Sequence, residues 1–98
     1  MKQFEFLDES FLELMNDIGR YGAEKYGAES FHARAQTGDR SRSLARTQKE
    51  EIMRHARKHT ADYEKGIRHD KFDTLHHQLA ASAFNNMMEF YFSKYEQG

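Results

Sequence analysis

Apolar residues in this chain recur at helical spacing, and no alternating strand pattern persists. Phe11, Leu14, Met15, Ile18, Tyr21 and Tyr26 follow one another close to that period. Ser10 and Glu13 have the form of a capping box, and Gly27 is a natural stop. This predicts a first helix over about 10–26. Thr47 to Glu50 repeats the capping pattern and Gly66 supplies a second stop, which predicts a helix over about 44–65. Its apolar content is thin (Leu44, Ala45, Ile52, Met53, Ala56, Ala61 and Tyr63), so it packs by one narrow stripe. Asp70 or Asp73 opens a third helix over about 71–95. That helix carries two apolar rows, one of Leu75, Leu79, Ala83, Met87 and Phe90, the other of Phe84, Met88, Tyr91 and Tyr95. Two partner helices of this size cannot cover both rows, so the second is expected to drive self-association into a homo-oligomer. Residues 27–43, with Gly27, Gly38, Asp39 and three serines, read as one long loop. The expectation is an all-α, three-helix bundle-like domain spanning 1–98 and assembling through its C-terminal helix.

Composition narrows the classes. Without cysteine there is neither a disulfide frame nor a thiolate metal site. The N-terminus has no hydrophobic signal segment and no apolar run spans a bilayer, which reads as a cytoplasmic protein with no membrane partner. Aromatic residues make up 13% of the chain, which favours a folded core over disorder. Net charge is −1 but unevenly placed: residues 34–68 carry ten Lys/Arg against five Asp/Glu, while both flanking segments are acidic. A basic middle suits an anionic partner, or helices paired by charge.

Chemistry concentrates between 55 and 77, where five of the six histidines lie among acids. Glu51, His55, His59 and Asp62 share one helix face at spacings of four, four and three. His-x-x-x-His on a helix can hold one metal from successive turns, but Ala56 stands where a zincin places its general base. Asp73 and His77 are four apart, and Asp70 precedes them. The metal candidates are therefore His55, His59, Asp62, Asp70, Asp73 and His77, with magnesium as the ion that would accompany phosphates. Phosphate-loop and dinucleotide signatures are absent. Asn85, among Phe84, Met87 and Met88, needs a partner if buried, either another helix or a ligand.

Three stretches together resemble a known family. They are Tyr21-Gly22-Ala23-Glu24-Lys25-Tyr26-Gly27, then Arg54-His55, then Leu79-Ala80-Ala81-Ser82-Ala83-Phe84-Asn85. In order and spacing they look like the small helical bacteriophage domain called the dATP/dGTP diphosphohydrolase N-terminal domain. Where typical members open the last motif with histidine, this chain has Gln78, with His77 adjacent; Ser30-Phe31 stands in place of an Asn-Trp pair. The resemblance implies a phage or prophage origin and a nucleotide-associated role. One form of that role is a metal-assisted deoxynucleoside triphosphate pyrophosphohydrolase, with Arg54 and Lys71 meeting phosphate. Another is a non-catalytic binder of nucleotides or nucleotide-like signals, such as a counter-defence sponge. Arg54, His55, Lys71, Lys25 and Tyr26 are the nucleotide and phosphate candidates, and Arg54, His55 and His77 are expected to line one pocket between helices two and three. The alternative is a small protein-interaction module that modulates a host defence machine without catalysis.

Overall fold

The computed structural model describes residues 5–27, 34, 46–70 and 76–93. These hold three helices, α1 (Glu9–Tyr26), α2 (Arg46–Glu64) and α3 (Gln78–Ser93), and a single isolated β-bridge. The chain is all-α. Most of the expected 27–43 loop, Lys71, Asp73, Leu75 and Tyr95 lie outside the described residues.

The helix ends follow from local chemistry, with two departures from the expected caps. Asp8, not Ser10, caps α1: its backbone is extended and its carboxylate accepts the Phe11 N–H at 2.9 Å. A carboxylate is the better partner for the positive end of a helix, and Ser10, already helical, donates its own hydroxyl to Asp8. At the far end Gly27, at φ 85°, donates its N–H to the Ala23 carbonyl. Thr47 lies inside α2, so the second capping-box pattern does not mark that helix's start. α2 ends as expected at Gly66, whose φ is 96°. Gly66 N–H donates to Tyr63 O and Ile67 N–H to Asp62 O, both at 3.0 Å, the paired bonds of a Schellman turn.

The third helix starts later than the pattern suggests. Residues 76 and 77 are not helical: His69 and His77 form the antiparallel bridge, with Asp70 N–H donating to His76 O and Gln78 N–H to Arg68 O, both at 2.9 Å. The cap is His77, whose Nδ1 accepts the Leu79 N–H at 3.1 Å. Asp70 therefore pairs in the bridge and does not open α3.

α3 is the centre of the fold. Both α1 and α2 pack on it, and among the described residues they do not pack on each other. The core joins Ile18 of α1 and Ile52 of α2 to Ala80, Ala81, Phe84, Met88 and Phe92 of α3. Arg34 is buried too, its guanidinium 5.2 Å from the centre of the Phe92 ring. This reverses the expected use of the two apolar rows. Phe84 and Met88, assigned from sequence to an oligomer contact, are internal. The outward row is the other one, with Met87 and Phe90 at 39% and 66% exposure. Flanked by α1 and α2 and covered by Arg34 at Phe92, α3 is wrapped on more of its circumference than one row needs.

α1 approaches closely because residue 19 has no side chain. A Cβ there would meet Cε1 and Cζ of the buried Phe84 ring at 2.9 and 3.0 Å. Gly19→Val forces that ring to shift and gains little helix propensity in return. It is expected to lower stability by about 1–3 kcal/mol, read as an earlier urea midpoint at unchanged slope.

Candidate functional site

Two groups of polar side chains fix the junction of α2 and α3. The first is the seam between the helices. The Ser82 hydroxyl donates to the Ala56 carbonyl at 3.0 Å, Thr60 Oγ1 lies 3.2 Å from the same carbonyl, and the two hydroxyls are 2.7 Å apart. One turn on, His59 Nδ1–H donates to Gln78 Oε1 at 2.6 Å, since a carbonyl oxygen can only accept. Gln78 is fully buried, so this contact satisfies an oxygen that water does not reach.

The second group lies where the chain reverses between α2 and α3. The Schellman turn folds residues 66–69 back over the last turn of α2, and the Arg68 guanidinium stands 4.2 Å from the centre of the Tyr63 ring. The His77 ring sits 5.9 Å from Tyr63 and 5.3 Å, edge-on, from His69. Its neighbour His76 meets Tyr21 of α1 edge-on at 5.6 Å, and Lys25 Nζ lies over both Tyr21 and Tyr26. The pair His76-His77 thus links the end of α1 to the end of α2. Because His77 Nδ1 accepts from Leu79, a neutral His77 carries its proton on Nε2 and can donate there.

The expected residues separate along α2. Arg54 and His55 are both set against Glu51 at 3.9 Å. Tyr63, which meets His77, is two helical turns further on, about 12 Å of rise. Arg54, His55 and His77 therefore do not line one pocket. His59 turns to Gln78, and Asp62 is held by Lys58 at 2.9 Å, which lowers its carboxyl pKa. Among the described residues no group of three or more His, Asp or Glu stands ready to hold a metal; Asp73 and Lys71 lie outside them. Asn85 is buried and donates to the Ala81 carbonyl at 2.8 Å, so its amide bonds within its own helix. Tyr63, Arg68, His69 and Gln78 were absent from the expected set. The signal for Arg68 was present, because a glycine stop after a helix returns the next residues over its last turn.

Among the described residues, the pKa values of His55 and His76 are lowered. Burial is the main cause at His55, assisted by the adjacent Arg54 and opposed by Glu51. Burial also lowers His76, opposed by Asp17 and Asp70. A histidine whose folded pKa is depressed stabilises the fold above its unfolded pKa, near 6.5, and that contribution is lost as pH falls through the folded value. Stability is expected to fall as pH drops below about 6.5. The urea midpoint measured from neutral to mildly acidic pH should decline less steeply in His76→Gln, and a parallel decline would remove His76 from this account.

Among the described residues no helix is long and apolar enough to cross a membrane. No family model, no curated protein and no solved structure matches this chain.

Proposed function

We propose that the protein binds a nucleotide or nucleotide-like molecule at the reversal between α2 and α3. The observation that carries this reading is the cluster Arg68–Tyr63–His77–His69, a guanidinium over one ring and two imidazoles against it and each other, with Tyr21, Lys25 and His76 beside it. Rings and a guanidinium plane are what a base stacks on. A guanidinium engaged by its face keeps its N–H edges for phosphate oxygens, and His77 Nε2–H adds a neutral donor. The resemblance to the phage dATP/dGTP diphosphohydrolase domain adds a substrate class, the purine deoxynucleoside triphosphates. Magnesium would then arrive with the phosphates, as it does on nucleotides generally. A phage-encoded binder of this kind would act in the host cytoplasm, withholding or sensing nucleotide signals.

A second reading has its own support. Phe6, Leu7, Leu12 and Leu14 are exposed apolar residues in and just before α1, with Phe6 at 97%. They suit a protein-interaction module directed at a host protein.

Isothermal titration with dATP, dGTP and a cyclic dinucleotide, with and without magnesium, separates the two. The nucleotide reading expects saturable heat from at least one of them. Arg68→Ala should weaken that binding about tenfold or more, the cost of a charge-assisted phosphate contact. His55→Ala should leave it nearly unchanged. No heat from any ligand in either condition would remove the nucleotide reading and leave the interaction module.

A further inference from the structure

We propose that two copies of this chain pair about a two-fold axis that crosses the outer face of α2, beside its groove with α3, and sets α2 antiparallel to its symmetry mate. This surface is separate from the reversal and does not depend on the nucleotide reading.

The groove holds about 320 Å³, and its floor is small side chains: Ala56, Thr60 and Ala61 from α2, Ser82 from α3. The hydroxyl seam draws the two helices together beneath it, and the larger side chains, Met53, Arg57, Glu64 and Asn86, complete its lining. A floor of side chains this small admits another helix at close range. Beside it runs the outward row of α3, where Met87 and Phe90 are exposed, so the face offers apolar area beyond the groove itself.

The rim identifies the occupant. Arg57 and Glu64 both border the groove and both are exposed. They lie seven residues apart on α2, on one face and about 10 Å apart in rise. Neither finds an opposite charge at the spacing where helical neighbours pair. Arg57 has Met53, Arg54, Thr60 and Ala61 at those positions; Glu64 has Thr60 and Ala61 within the helix. Four residues beyond Glu64, past the helix end, Arg68 turns back over Tyr63.

A two-fold axis crossing α2 midway between these charges passes by Thr60 and Ala61. It sets each Arg57 opposite the Glu64 of the symmetry mate, and so forms the pair twice. That is the self-complementarity an isologous contact requires. Ala61, exposed and small, stands at the point of closest approach.

Sedimentation velocity of the full chain across a micromolar dilution series tests this. The unmodified chain should dissociate from dimer to monomer on dilution. Arg57→Glu and Glu64→Arg each place like charges in register twice and should each weaken the dimer about tenfold or more. The double variant Arg57→Glu/Glu64→Arg restores opposite charges and should recover dimerisation. Circular dichroism of each variant confirms that the helices persist, since both positions are exposed. A chain that stays monomeric throughout the series overturns the proposal. So does a dimer indifferent to the single reversals, or a double variant no better than either single one.

Discussion

The contact between Thr60 and Ser82 over the Ala56 carbonyl is the constraint on which the rest of this fold depends. Three oxygens lie within hydrogen-bonding distance of one another and only two hydroxyl protons are present. One hydroxyl therefore donates to the carbonyl and the other to its neighbour, and all three oxygens are served. The arrangement works only while α2 and α3 stay close, which small residues at 56, 60 and 82 permit. Ser82 is buried, and its hydroxyl without such a partner would cost roughly 1–3 kcal/mol, so the seam favours one register between the helices. His59 and Gln78 repeat the logic a turn further on with a longer reach.

That register places the start of α3 against the end of α2. The connection closes through the His69–His77 bridge, and His77 then caps α3 with its own ring. A helix N-terminus often attracts anions, but here the chain uses its own groups: Gln78 N–H goes to Arg68 O, Leu79 N–H to His77 Nδ1, and Ala81 N–H to His77 O. Any ligand at the reversal must therefore meet side chains, not the helix end. Arg68, Tyr63, His69 and His77 are the side chains held there, and the seam holds them indirectly by setting where α3 begins.

Much of this was legible in the sequence. Gly27 and Gly66 terminate their helices as read, because positive φ after a helix is glycine's conformation. The helical period of the apolar residues gave the fold class. Two features were not legible. The burial of Phe84 and Met88 is one, because it depends on α1 and α2 both packing on α3, with Gly19 admitting the Phe84 ring, and a helical period does not show which faces meet. His76 and His77 were read into a helix because nothing local distinguishes a capping histidine from a helical one; the bridge to His69 decides it. For the candidate site residues, spacing gives a shared segment and not the contacts that each side chain makes. Spacing placed His55, His59 and Asp62 on one face, but that face looks in different directions once Gln78 and Lys58 take two of its members.

The central claim is that the seam and the bridge are formed together in solution, and proton–proton cross-relaxation measured by NMR tests it most directly. The account expects cross-peaks between the Thr60 methyl and the Ser82 β-protons, and between the His69 and His77 ring protons. Cross-peaks at the seam without those at the histidines would contradict the link between helix register and site, and absence of both would contradict the packing of α2 on α3.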